Sequence, residues 1–260
     1  MLRIALITDI HLVPIKSDKL YNIYIYDLFA TIIDTIKQNE LAYDFVVLSG
    51  DLADKGCPES YKLLCHGLSV LTIPCYWVAG NHDDLEVIQG VSADWQLLND
   101  KSFTQKGVHF TLLNSVVKDE DGKNKARGKL EKPELTFLDT DLLQYSNLPC
   151  IIVLHHPPVF SGTWKDDKML KNYDEFFDII DKYPNVRLVL YGHQHQVFQS
   201  ERNNVIYYSP PAASFQFDKE VKWAFENSFS GYGIIEIDNS GKISCMDKRV
   251  NFSISPIYAK

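Results

Sequence analysis

Asp9 and His11 stand two residues apart just after the aliphatic run Ile4-Ala-Leu-Ile7, and His193 and His195 do the same after Leu188-Val-Leu-Tyr191. Two side chains in that spacing point to the same side of an extended strand end, so one cation could take both members of a pair. Three more apolar runs end in similar residues. Phe45-Val-Val-Leu-Ser49 leads to Gly50-Asp51, Tyr76-Trp-Val-Ala79 to Gly80-Asn81-His82-Asp83, and Ile151-Ile-Val-Leu154 to His155-His156-Pro157-Pro158. Carboxylate, imidazole and carboxamide without cysteine suit borderline metals such as Fe, Mn or Zn rather than a thiolate-bound structural zinc. Asp51 has two oxygens and could bridge two ions. Taken singly, each motif reads equally well as a turn or a capped strand end. Five apolar runs ending in the same class of ligand make coincidence a poor explanation.

The elements that must position these residues follow from hydrophobic pattern. Nearly continuous apolar runs at 3–8, 44–49, 75–79, 150–154 and 187–191 suit strands buried on both faces. Helical periodicity fills the intervals at 20–39, 59–71, 132–145 and 168–183; Ile23, Leu28, Ile32, Ile33 and Ile36 form one stripe in the first of them. Short strands at 205–209, 231–237 and 242–248 close the chain, the last two joined at Asn239-Ser240-Gly241, and suggest a second sheet there. This alternation marks a layered α/β domain, read as one domain over 1–260. In open α/β sheets ligands gather at the carboxyl ends of the strands, where all five motifs fall.

Composition narrows the partners. The 260 residues carry 34 acidic and 26 basic side chains, a formal charge of −8, which disfavours avid binding to a polymeric nucleic acid. No Lys/Arg cluster suggests a basic groove, so a small ligand is expected. Five widely spaced cysteines, an odd number, argue against a disulfide framework and for a reducing compartment. No apolar stretch reaches spanning length, and Asp9 and His11 interrupt the N-terminal run before it could serve as a signal segment. The expected setting is cytoplasmic, with no membrane span; the oligomeric state is left open.

The ordered series Asp9-x-His11, Gly50-Asp51, Gly80-Asn81-His82-Asp83, His155 in Leu-His-His-Pro-Pro, and Gly192-His193-x-His195 resembles the complete signature of the calcineurin-like metallophosphoesterase superfamily. The resemblance covers residues 9–195. It implies a four-layer α/β sandwich of two mixed sheets flanked by helices, and a site for two metal ions. Asp9, His11, Asp51 and His195 would bind the first ion; Asp51 as bridge, Asn81, His155 and His193 the second. Two cations about 3.5–4 Å apart can share a water, lower its pKa toward neutrality and deliver hydroxide in line to phosphorus. The resemblance gives His82 the role of general acid toward the leaving oxygen. Asp83 either orients His82 or caps the turn.

Other residues draw plainer readings. His156 would face away from His155 on a strand, which favours a core histidine or one supporting a ligand from behind. His66 and His109 are given no function, and Asp54, Asp84 and Asp119-Glu-Asp121 are read as solvated surface. Trp77, Tyr191, Phe176 and Phe177 are read as core.

Within the superfamily the chain is similar to the compact bacterial cyclic nucleotide phosphodiesterases. Gly128-Lys-Leu-Glu-Lys-Pro-Glu-Leu-Thr-Phe-Leu138 and Ser209-Pro-Pro-Ala-Ala-Ser-Phe-Gln-Phe217 add to the likeness, the latter departing by Pro211-Ala212-Ala213 where Ser and Thr commonly stand. The implied reaction is hydrolysis of a 3′,5′-cyclic nucleotide such as cAMP. His82 separates the chain from the lipid A pathway pyrophosphatases, which typically show Arg there. The rivals are a general or glycerophosphodiester phosphodiesterase, a nuclease, and a non-catalytic protein-binding scaffold, the last disfavoured because all seven ligand positions are filled.

Overall fold

The computed structural model describes residues 1–93, 95, 97–226 and 229–250. In chain order the strands begin with β1 (Leu2–Ile7), β2 (Phe45–Ser49), β3 (Cys75–Val78), β4 (Leu97–Leu98), β5 (Ser102–Gln105) and β6 (Val108–Leu112). They continue with β7 (Cys150–Val153), β8 (Val186–Leu190), β9 (Phe198–Arg202), β10 (Val205–Ser209), β11 (Gly231–Ile237) and β12 (Ile243–Arg249). Two six-stranded sheets result, ordered β12-β11-β1-β2-β3-β4 and β5-β6-β7-β8-β10-β9. Both are mixed: β1, β2 and β3 run parallel with β11 antiparallel beside β1, and β6, β7, β8 and β10 run parallel between antiparallel edge strands.

The alternation of side chains along each strand builds the layers. Ile4 and Leu6 of β1, Phe45 and Val47 of β2, Ile151 and Val153 of β7 and Leu188 of β8 share one buried cluster, the core between the sheets. Their neighbours Ala5, Ile7, Val46 and Leu48 face outward onto helices α1 (Ile25–Gln38) and α2 (Pro58–Leu68). On the far side Ile152, Val189 and Tyr207 pack against α4 (Lys132–Gln144) and α5 (Tyr173–Ile180); between these pairs of helices in sequence comes α3 (Leu85–Ser92). The order helix, sheet, sheet, helix is the expected four-layer sandwich.

The differences from sequence expectation have local causes. α1 keeps its apolar stripe but starts at Ile25, because Tyr21 and Asn22 take left-handed φ values of 51° and 63° in a turn that ties Leu20 to Ile23. α5 starts later than expected, since the backbone before it pairs elsewhere: the Leu170 N–H donates to the Pro157 carbonyl at 2.9 Å and the Lys171 N–H to the Gly128 carbonyl at 2.7 Å. The C-terminal strands form no sheet of their own: β11 and β12 extend the first sheet beside β1, and β10 joins the second beside β8. α3 gave no pattern of its own; the Asp84 carboxylate caps it by accepting the Glu86 and Val87 N–H groups, each at 3.1 Å. Among the described residues no helix is long and apolar enough to cross a membrane.

Candidate metal centre

β1, β2, β3, β7 and β8 end at a common edge, and the residues just beyond them leave the extended conformation. Asp9, His11, Asp51, His193 and His195 have φ values of 53°, 53°, 51°, 68° and 51°. Asp and His tolerate this left-handed region better than most residues, yet it is strained and persists only where surroundings over-determine it. Here the backbone does so: the N–H groups of Asp9 and His11 donate to Gly50 and Asp51 carbonyls at 3.0 and 2.9 Å, and Gly192 N–H donates to His155 at 3.1 Å. The paired motifs are therefore not extended strand ends, as their spacing suggested, but left-handed turns. The motif glycines permit the approach: a Cβ on Gly50, at φ +93°, would stand 2.5 Å from His155 Nδ1, and one on Gly192 would collide with Thr8 Oγ1.

Asp9, His11, Asp51 and His195 each bring a ligand atom within 4.8 Å of the others. His195 Nε2 lies 3.4 Å from Asp9 Oδ1 and 3.1 Å from His11 Nε2, and His11 Nε2 lies 3.6 Å from Asp51 Oδ2. His195 Nδ1 donates to the Phe215 carbonyl at 2.8 Å, which leaves Nε2 as the free lone pair of the neutral ring.

A second group faces it across Asp51. His155 Nε2 lies 3.3 Å from Asp51 Oδ2 and 3.2 Å from His193 Nδ1, while His155 Nδ1 donates to the Ser49 carbonyl at 2.8 Å. Asp51 Oδ2 thus stands between His11 and His155, and its Oδ1 accepts the His82 N–H at 2.8 Å. The pair His193 and His195 divides between the two groups instead of serving one. His156 also joins the second: its ring lies 4.8 Å from that of His193, Nδ1 pairs with Ser115 Oγ at 2.8 Å, and Nε2 is buried without a partner. Its burial suits the core reading, but it does not face away from His155, because β7 has ended before it.

The electrostatics are those of a site built for positive charge. Burial raises the Asp9 carboxyl above its usual range. Burial pushes Asp51 the same way, but His155, His82 and His11 outweigh it and hold that carboxyl well below the usual range. Burial and Lys165 depress His193 and His195. Asn81 Oδ1, His193 Nε2 and His11 Nδ1 are buried without hydrogen-bond partners among the described residues. Imidazole nitrogens, two carboxylates and an orphaned carboxamide oxygen converge in one buried place. That is the chemistry of a site for divalent cations with N and O ligands.

His82 lines the cavity beside these groups; its Nδ1 donates to the Asp54 carbonyl at 2.9 Å, and the Asp54 carboxylate stands nearby with Oδ1 3.8 Å from the same nitrogen. Asp54, read from sequence as solvated surface, is instead half-buried between His11 and His82. Asp83 does not reach His82. Its carboxylate accepts the N–H groups of Gly80, Leu52 and Ala53 at 2.8 to 3.1 Å and the Tyr61 hydroxyl at 3.0 Å, fastening the two motif loops together.

Sequence reasoning missed the rest of the wall. A cavity of about 260 Å³ opens over His11, Asp51, Asn81, His193 and His195, and Trp164, Lys165, Lys168, Phe217 and Trp223 line it. Lys165 is buried, donates to the His193 carbonyl at 3.0 Å and lies 4.5 Å over the Phe217 ring; burial pushes its ammonium down to about 8. The stretch Trp164-Lys-Asp-Asp-Lys168 was the only signal, and it reads as an ordinary charged helix start. The 209–217 segment backs the site: Ser214 Oγ donates to the Asp9 carbonyl at 2.6 Å, and the Phe215 ring stacks 4.6 Å from that of His195. A separate cavity gathers Lys118, Lys125, Arg127, Lys129 and Lys171, so the chain does hold a basic cluster that was overlooked in its sequence; Glu131 pairs with Lys129 there at 2.9 Å.

A family model described as calcineurin-like phosphoesterase matches residues 2–197. The chain is 35% identical over 253 residues, 96% of its length and 93% of the other, to a 3′,5′-cyclic-nucleotide phosphodiesterase of Nostoc sp.. It is 25% identical to the 3′,5′-cyclic adenosine monophosphate phosphodiesterase CpdA of Escherichia coli K12, over 93% of this chain and 87% of that one. Among solved structures, a dimetal phosphatase from Danio rerio superposes with a TM-score of 0.70 at 13% identity, covering 95% of this chain and 96% of that one, and so shares the fold.

Proposed function

The chain belongs to the calcineurin-like phosphoesterase family, and from that premise we propose that it hydrolyses 3′,5′-cyclic nucleotides, cAMP among them, to nucleoside monophosphates. The observation that carries the substrate class is the 35% identity, along nearly the whole chain, to a protein named for that activity. The family binds two metal ions. In this reading Asp9, His11, Asp51 and His195 hold one ion and Asp51, Asn81, His155 and His193 the other, with Fe, Mn or Zn as candidates. Two such cations supply Lewis acidity toward the phosphate oxygens and acidify water toward neutral pH.

The chain's own residues supply the rest. Asp51 reaches both ligand sets from one carboxylate, since Oδ2 lies within 3.6 Å of His11 Nε2 and 3.3 Å of His155 Nε2. The Ser49 and Phe215 carbonyls fix His155 and His195 with Nε2 free to bind. With Nδ1–H committed to the Asp54 carbonyl, His82 presents Nε2 to the leaving ribose oxygen and, as the doubly protonated imidazolium, gives it the Nε2 proton. Lys165 and Lys168 place positive charge in the cavity wall, favouring an anionic diester in a protein that is acidic as a whole. The proposed setting is the cytoplasm, where unpaired cysteines persist.

The test is turnover of 3′,5′-cAMP, 3′,5′-cGMP, 2′,3′-cyclic nucleotides and glycerophosphodiesters by Mn-reconstituted protein. A 3′,5′-cyclic nucleotide is expected to show the highest kcat/KM. A glycerophosphodiester turned over faster than every cyclic nucleotide would overturn the proposal.

A further inference from the structure

Resting on the cyclic-nucleotide reading, we propose that Trp164 and Trp223 form a stacking platform for the substrate's nucleobase. The two indoles meet at the outer wall of the cavity, with centroids 4.9 Å apart and planes at 53°. Trp164 is held in place by its Nε1–H, which donates to the Asp218 carbonyl at 2.9 Å, and by edge packing on Phe217 at 5.5 Å. Phe217 in turn lies 5.0 Å from the ring of His195. Two ring-to-ring steps therefore separate the metal-ligand cluster from Trp164, the order of reach from a cyclic phosphate across its ribose to the base.

Trp223 is the second, independent observation. It is 58% exposed yet has φ +66°, a conformation that bulky side chains rarely adopt. Strain of this kind collects at ligand sites. A closed turn imposes it: the Asp218 carboxylate accepts the Glu220 and Val221 N–H groups at 2.8 and 2.7 Å, and the Asp218 N–H donates to Ala224 at 2.8 Å. An exposed indole is thereby fixed over the mouth of the cavity instead of folding into the core.

Charge selects the occupant. An aromatic wall beside a phosphodiester site could also cage the quaternary ammonium of a choline-type diester. Here Lys165 and Lys168 line the same cavity, and Lys222, paired with Asp167 at 3.7 Å, holds Nζ 5.9 Å over each indole. These cations repel a second positive group and favour a neutral base, which stacks on the indoles as the exposed Lys222 side chain swings off the faces it covers.

Trp223→Ala, at an exposed position, and Trp164→Phe, which keeps a ring against Phe217, test the platform. Trp223→Ala is expected to raise KM for cAMP roughly five- to hundredfold, with kcat little changed. KM for an abasic ribose 3′,5′-cyclic phosphate is expected to stay put. AMP is expected to quench indole fluorescence in the wild type and less in either variant. Unchanged KM for cAMP in both variants, or no quenching by AMP, overturns the platform while leaving the cyclic-nucleotide activity intact. A wild type that cleaves the abasic diester but not cAMP overturns the activity itself.

Discussion

His82 donates its Nδ1–H to the Asp54 carbonyl at 2.9 Å, and that contact fixes which ring nitrogen is free in the cavity. The His82 ring packs edge-on against His11 at 4.6 Å, while its hydrogen bond to Asp51 comes from the backbone N–H, which an alanine keeps, so its removal separates proton transfer from metal binding. His82→Ala is expected to lower kcat for cAMP about 10²- to 10⁴-fold with metal content unchanged. A p-nitrophenyl leaving group, which needs little protonation, should suffer a smaller loss. Loss of metal from this variant would assign His82 a different role.

Asp83 acts on the site through the backbone. Its buried carboxylate accepts from both the 51–53 and the 80–83 loops and from Tyr61. Asp83→Asn replaces one acceptor oxygen with a donor facing N–H groups. A stability loss of at least about 2 kcal/mol is expected, together with weaker metal retention because Asp51 and Asn81 ride on those loops. Urea denaturation and elemental analysis of the dialysed variant read the two effects. Full stability with unimpaired metal retention would show that the loops hold without it.

A buried polar cluster far from the site offers a pH test of the fold. Asp141 accepts from His109 Nε2 at 2.8 Å, Thr111 at 2.6 Å and Ser102 at 2.9 Å. Burial opposes the charge, but these partners outweigh it and lower the Asp141 carboxyl below its usual range. A carboxyl depressed in the folded state stabilises above its unfolded value, about 3.9, and stops doing so as pH falls through the folded value. Asp141→Asn is therefore expected to cost about 2 kcal/mol at pH 7, with the gap to wild type narrowing below about pH 4. A gap constant from pH 7 to pH 3 would contradict this.

The strands that carry the ligands were legible because β1, β2, β3, β7 and β8 are fully or nearly fully buried apolar runs. β9, a half-exposed edge strand reading Phe-Gln-Ser-Glu-Arg, has no such run, and His109 interrupts the pattern of β6. The ligand residues were legible because each follows a strand directly. Their backbone was not, since alternation along a strand carries no sign of a left-handed turn beyond it. Asp54, Lys165, Trp164 and Trp223 gain their significance from partners distant in sequence, and locally they look like surface.

The proposed function requires two metal ions at this one edge of the sandwich, with Asp51 between them. Elemental analysis of Mn-reconstituted, gel-filtered wild type and Asp51→Asn tests it most directly. Two ions per wild-type chain are expected, with fewer retained in Asp51→Asn and its phosphodiesterase activity abolished. A wild-type chain that retains no transition metal, or an Asp51→Asn variant that keeps two ions and full activity, would contradict the claim.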